Sequence, residues 1–251
     1  MILRYWCLIF ILVSAFARAE LTIEITQGIA SSIPISVVPM EWQGKPLPES
    51  IDEIVRSDLE RSGHFGILPP EDMLSHPSNE EDLYFRDWRL LKQDYLVISK
   101  LKVTDKGHYQ LYYQLFDVFN ERELLSQTLT GSQLQLRDMA HRVSDAVYEQ
   151  LTGIRGAFST KIAYVTTNKK RTRFNLAVAD SDGAREKVIM TSKYSIFSPA
   201  WSPDGKRLAY VLLEDTGSKV YVQNIATGKK QLVSNHKGIN SAPAFSPDGN
   251  K

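Results

Sequence analysis

Pro199-Ala200-Trp201-Ser202-Pro203-Asp204-Gly205 recurs 44 residues later as Pro243-Ala244-Phe245-Ser246-Pro247-Asp248-Gly249. Two further landmarks keep the same step. Ile162-Ala163-Tyr164-Val165 returns as Leu208-Ala209-Tyr210-Val211 after 46 residues, and the turn at Asp182-Gly183 returns at Thr227-Gly228 after 45. A period of about 40 to 50 residues with short strands between turns predicts β-propeller blades, a solenoid or sandwich being the alternative on the same period. Ser-Pro-Asp-Gly suits a tight turn, because Pro fixes φ, Asp bonds locally and Gly adopts backbone angles that other residues avoid. Asp204 and Asp248 are therefore read as turn residues rather than ligands. Trp201 and Phe245 are expected to fill the space between blades, and Leu208–Val211 to form a crowded inner strand. Residues 157–251 hold about two repeats, whereas a propeller closes with about four to eight. The chain is thus expected to be part of a longer protein, with an open blade edge prone to aggregation.

Upstream, residues 20–156 carry the mixed helix and strand periods of a small α/β domain, with helices packed on a mixed sheet. Leu21, Ile23 and Ile25 alternate with Thr22, Glu24 and Thr26 as in a half-buried strand, and Ile35–Val38 is a second apolar run, stopped by Pro39. Ser50-x-x-Glu53 reads as a capping box opening a helix with Ile51, Ile54, Val55 and Leu59 on one face and Gly63 past its end. Phe65–Leu68 is expected as a short strand, Glu80–Lys92 as one amphipathic helix. Strands follow at Tyr95–Val103, Tyr109–Phe119 and Glu123–Thr130, the first two joined by the turn Thr104-Asp105-Lys106-Gly107. A last helix carries Leu136, Met139, Ala140, Val143, Val147 and Leu151 and ends at Gly153.

Met1–Ala19 has the form of a secretory signal peptide: Arg4, then an apolar run from Tyr5 to Phe16 broken only by Ser14, then Ala17-Arg18-Ala19 as the cleavage site. The run is shorter than the ~20 residues an uncleaved membrane anchor needs. Cleavage after Ala19 also removes Cys7, the single cysteine. The exported, non-lipidated product is therefore free of thiols, which suits an oxidising compartment. The whole chain carries 30 Lys+Arg against 29 Asp+Glu. That balance argues against nucleic acid as an obligate partner, and loss of Arg4 and Arg18 leaves 28 basic residues against the same 29 acidic ones. With 43% hydrophobic and 24% charged residues, the composition excludes a disordered tail, a collagen-like repeat and a polytopic membrane protein.

The sequence offers no catalytic constellation. His64, His76, His108, His141 and His236 are scattered, and none has metal-ligand spacing. His141 is expected at an exposed polar position on the last helix. No G-x-S-x-G elbow is present, and Gly228-Lys229-Lys230 lacks the upstream glycine of a phosphate loop.

With leader, α/β domain and repeats in place, the chain resembles the TolB family of periplasmic Tol-Pal proteins of Gram-negative bacteria. The resemblance rests on Ile35-Ser36-Val37-Val38-Pro39, Tyr113-Gln114-Leu115-Phe116-Asp117, Lys161–Val165, both propeller motifs and above all Leu151-Thr152-Gly153-Ile154-Arg155-Gly156-Ala157-Phe158. It implies an N-terminal α/β domain followed by a six-bladed propeller, and a non-catalytic role linking the inner-membrane protein TolA to the outer-membrane lipoprotein Pal. Support of envelope constriction during cell division, outer-membrane integrity and colicin import go with that role. No cofactor is implied.

The family's TolA-binding strand, which engages the TolA C-terminal domain, maps by position onto Glu20, Leu21, Thr22, Ile23, Glu24, Ile25 and Thr26. An alternating terminal strand suits addition to a partner's sheet edge, and equally suits the domain's own sheet. Pal contacts map onto the loop Ile239, Asn240, Ser241 and Ala242, where relatives carry His-Asn-Gly-Ala; an ordinary blade-connecting loop is the plain alternative. Two rival functions fit the same residues. One is the propeller portion of a prolyl-oligopeptidase-like peptidase whose catalytic domain lies beyond residue 251. The other is a generic exported propeller that binds peptide or sugar.

Overall fold

The computed structural model describes residues 32–104 and 106–251. Strand β1 (Ile33–Val37) leads to helix α1 (Ile51–Arg61) and strand β2 (Phe65–Ile67). Ile51, Ile54, Val55 and Leu59 recur at helical spacing and are all buried on one face of α1. Ser50 sits at the N-cap, but the expected capping box does not form. Its hydroxyl donates instead to Asp52 Oδ1 at 2.7 Å, because an aspartate two residues on competes for it. Gly63, at φ 74°, takes the left-handed position just past the helix end.

The single helix expected over Glu80–Lys92 is broken. A 3-10 turn (Glu80–Asp82) and a short helix α2 (Phe85–Leu90) flank Leu83, which is extended at φ −92°, ψ 113°. Side chains five apart on a helix diverge by about 140°. The break lets Leu83 and Trp88 enter the same core, with Met73, Leu96, Ile98, Phe116 and Val118.

Strands β3 (Tyr95–Val103), β4 (Tyr109–Asp117) and β5 (Arg122–Gly131) form an antiparallel meander. β4 ends at Asp117 rather than Phe119, since the Asp117 carboxylate turns the chain by accepting the Asn120 backbone N–H at 2.8 Å and its side-chain amide at 2.7 Å. The sheet order is β2-β1-β3-β4-β5, with β1 parallel to both neighbours. Helix α3 (Leu136–Thr152) joins α1 on one face, over Ile35, Val37, Val97, Leu101, Leu111, Tyr113 and Leu115. Gly153 ends α3 in the left-handed region at φ 71°.

The repeats form two twisted sheets. The first has β6 (Lys161–Thr167), β7 (Phe174–Asp180) and β8 (Lys187–Ser192); the second has β9 (Ser195–Trp201), β10 (Arg207–Glu214), β11 (Gly217–Asn224) and β12 (Lys230–Ser234) in the order β12-β11-β10-β9. Leu176, Ile196, Tyr210 and Leu212 form a core between them. Leu208–Val211 lies buried in β10, second in its sheet, while Pro199–Trp201 runs along the edge strand β9. The expected inner strand is thus the second strand of the repeat. In the first sheet the matching Ile162–Val165 lies in the edge strand β6, and Ile162 is 41% exposed.

Both Ser-Pro-Asp-Gly turns are built alike. Asp204 Oδ1 accepts from the Ser202 hydroxyl at 2.6 Å and the Lys206 N–H at 3.1 Å; Asp248 Oδ1 accepts from Ser246 at 2.5 Å and Asn250 at 3.1 Å. Gly205 and Gly249 sit at φ 66° and 69°. These hydrogen bonds hold both carboxyls below the ordinary aspartate range. Phe245 packs under the Arg207 guanidinium at 5.3 Å, on the face of the second sheet opposite Tyr210, where a cleft of about 350 Å³ is lined by Ala209, Val220 and Val222.

Candidate functional site

Of the two segments expected to bind partners, Glu20–Thr26 lies outside the described residues. The other, residues 239–242, follows β12. There Asn240 is only 6% exposed, and its backbone N–H and side-chain amide are engaged. Its side-chain amide donates to Ser218 O at 2.9 Å and His236 O at 2.8 Å. Its Oδ1 accepts from the Ser234 hydroxyl at 2.6 Å and the His236 N–H at 3.0 Å, and its own N–H donates to Ser218 Oγ at 2.7 Å. Asn240 therefore ties the loop down rather than facing outward. Ile239 is 90% exposed, and Ser241 and Ala242 are exposed beside it. A fixed loop that presents a bare isoleucine can be read by another protein, because little further ordering is needed to bury it.

A second cluster joins α3 to the β7–β8 turn. Asp58 on α1 and Asp182 in the turn flank His141, which is 1% exposed. This corrects the expectation of an exposed histidine: Arg137, His141, Ser144 and Tyr148 form a second inward stripe beside the apolar one. The signal was present, since these residues follow spacings of four, three and four. Their polarity hid it. His141 Nδ1 lies 2.7 Å from Asp58 Oδ2, and Asp58 Oδ1 accepts from Arg61 at 2.7 Å. His141 Nε2 lies 3.8 Å from Asp182 Oδ2 and is buried without a hydrogen-bond partner.

Around this trio runs an ionic network. Arg137 pairs with Glu49 at 2.8 Å and with Asp182, and its Nε lies 3.4 Å from Asp180. Asp180 also accepts from Lys161 at 2.7 Å and Arg185 at 2.6 Å, and Arg185 pairs with Asp138. Burial pushes both Asp180 and Asp182 upward. For Asp180, Arg185 and Lys161 outweigh it; for Asp182, the Ala184 N–H, Arg137 and His141 do, so both carboxyls lie below the ordinary aspartate range.

Asp58, His141 and Asp182 have ligand-type atoms within 4.8 Å of one another. They do not converge on one point. Asp58 takes Nδ1, and the Nε2 lone pair leaves the ring on the other side, so one ion could touch only Nε2 and Asp182. The Arg137 guanidinium already holds Asp182. The arrangement is a buried hydrogen-bonded junction.

The linker between α3 and β6 is fastened to the same helix. Asp145 accepts the Phe158 N–H at 2.7 Å and the Ser159 N–H at 3.2 Å, and Phe158 meets Tyr148 edge-on at 5.6 Å. Ser181 then ties the β7–β8 turn to Phe158 O at 2.7 Å. Among the described residues, no helix is long and apolar enough to cross a membrane.

Comparison with known proteins matches both halves of the chain. Residues 21–124 fit the family model described as the TolB amino-terminal domain, and residues 148–251 fit the TolB beta propeller domain. The Tol-Pal system protein TolB of Alcanivorax borkumensis is 47% identical over 235 residues, which cover 93% of this chain and 54% of the relative. That of a Marinomonas species is 47% identical over 242 residues, covering 95% and 55%. The crystal structure of TolB from Acinetobacter baumannii superposes with a TM-score of 0.77 at 36% identity, over 87% of this chain and 53% of that one. The chain spans about half the length of the curated relatives it matches.

Proposed function

This chain belongs to the TolB family, and on that premise we propose that it serves as a periplasmic, non-catalytic binding component of the Tol-Pal system, linking TolA to the lipoprotein Pal. The observation that carries this reading is the 47% identity to Tol-Pal system proteins across both halves of the chain. The match over residues 21–124 favours it over a peptidase, whose kinship would rest on the propeller alone. Export by the Met1–Ala19 leader places the protein in the periplasm, and constriction of the envelope during division is the process it supports.

In this reading residues 20–26 add as a strand to TolA, and the 239–242 loop contributes to the Pal surface through Ile239. Because Asn240 is engaged internally, replacing it would loosen the loop whether or not Pal binds there. Ile239→Glu is the cleaner probe. In titration calorimetry of the full-length protein with the soluble domain of Pal, it should weaken binding by about tenfold or more, the loss expected for an interfacial anchor. The unfolding midpoint should stay unchanged. Unaltered affinity removes the loop from the Pal surface, and no Pal binding by the wild type overturns the functional reading.

A further inference from the structure

We propose that His141 is a proton-operated latch between the N-terminal α/β domain and the first propeller sheet, bonding to Asp182 only when its imidazole is doubly protonated. This goes beyond the partner-binding role and does not depend on which partners bind. It rests on the geometry around the ring. Neutral His141 has one N–H, and Nδ1 faces the Asp58 carboxylate at 2.7 Å, so Nδ1–H is the bond the neutral ring makes. Nε2 then presents a lone pair to the Asp182 carboxylate 3.8 Å away, acceptor against acceptor, and no other group satisfies it.

Protonation converts Nε2 into a donor. A shift of about 1 Å by the Asp182–Gly183 turn closes the gap to an ordinary charge-assisted bond. Asp182 Oδ2 has a second lone pair beyond the one used by Arg137, and Oδ1 remains on the Ala184 N–H at 2.9 Å.

The charges facing His141 fit a switch. α1 contributes Asp58 with Arg61; α3 contributes Arg137 and Asp138; Glu49 precedes α1; the blade side contributes Asp180, Asp182, Arg185 and Lys161. On α3, Arg142 is exposed, and Asp145 is taken by the linker amides. These ion-paired groups comprise five carboxylates and four cations, so a neutral imidazole leaves the cluster one charge negative and a protonated one balances it. Lowering the pH adds that second proton and closes the latch. It reopens only below the aspartate range, where Asp180 and Asp182 take up protons.

The test is hydrogen exchange of the full-length protein at pH 7.5, 6.5 and 5.5. Rates are corrected for intrinsic exchange and referred to the amides of β10. Wild-type protection at Phe158, Ser159 and Ser181 should rise by about tenfold from the highest to the lowest pH, the effect of one charge-assisted bond. His141→Gln and Asp182→Ala should each rise less than twofold. If His141→Gln fails to fold, Asp182→Ala alone decides, since it removes the acceptor while leaving the imidazole in place. A wild-type rise no larger than that of the variant overturns the proposal.

Discussion

Gly156 bears on how the two halves of the chain are joined, and Gly156→Ala is the perturbation that probes it. The linker crosses α3 so closely that a methyl at position 156 would come within 2.4 Å of Asp145 Cα, 2.5 Å of its Oδ1 and 2.8 Å of its Cβ. The nearest of these is helix backbone, which cannot swing aside as a side chain can. Ordinary contact begins near 3.4 Å, so the linker must retreat by about 1 Å. That retreat stretches the 2.7 Å and 3.2 Å bonds from Phe158 and Ser159 to Asp145 beyond hydrogen-bond reach. Each bond to a charged acceptor contributes about 1.5 kcal/mol when buried; discounted to about 1 for partial exposure, the pair gives a loss of about 2 kcal/mol. Urea unfolding reads this as a fall in midpoint at unchanged slope, and hydrogen exchange reads it at the Phe158 amide. Asp145→Ala should cost a similar amount. The double variant should cost little more than either, since both remove the same bonds. A Gly156→Ala protein within about 0.5 kcal/mol of wild type, the range of an ordinary surface substitution, would show that the linker does not depend on this close approach.

Two further outcomes follow from the cores and the junction. Tyr210 is fully buried, and its hydroxyl donates to Gln223 Oε1 at 2.9 Å while Gln223 donates to Ile189 O at 3.1 Å. Tyr210→Phe strands the buried Gln223 oxygen and should cost about 1–3 kcal/mol in denaturant unfolding, with near-zero cost as the contrary result. The Asp180 and Asp182 carboxyls lie below their ordinary value of 3.8. Their contribution is therefore present above that value and lost as pH falls through their lowered values. Thermal unfolding should show stability declining below about pH 4. Asp180→Asn should flatten that decline, and an equally steep decline in the variant would contradict it.

The repeat was legible because turn chemistry is local. Pro, Asp and Gly at fixed offsets dictate one backbone path wherever they stand, as the matching bonds of Asp204 and Asp248 show. The amphipathic helices α1 and α3 were legible for a similar reason, their apolar stripes being periodic and continuous. Glu80–Lys92 departs from a single helix because its helical period is opposed by a tertiary demand: Leu83 and Trp88 enter one core. Ser50 departs from the capping-box pattern because Asp52 competes for its hydroxyl within two residues. Asn240 looked like a contact residue, yet its partners Ser218 and Ser234 sit on neighbouring strands that no local pattern brings to it. The His141 junction was the least visible. Its carboxylates come from positions 58 and 182, and only the docking of α1, α3 and the β7–β8 turn assembles them.

The proposed role has one molecule engage two partners through separate surfaces. Analytical ultracentrifugation of the full-length protein with the TolA C-terminal domain and the soluble domain of Pal tests it directly. The wild type should form complexes with both proteins, and deleting residues 20–26 should abolish the TolA complex while leaving the Pal complex intact. A truncated protein that still sediments with TolA, or a wild type that binds neither protein, would contradict it.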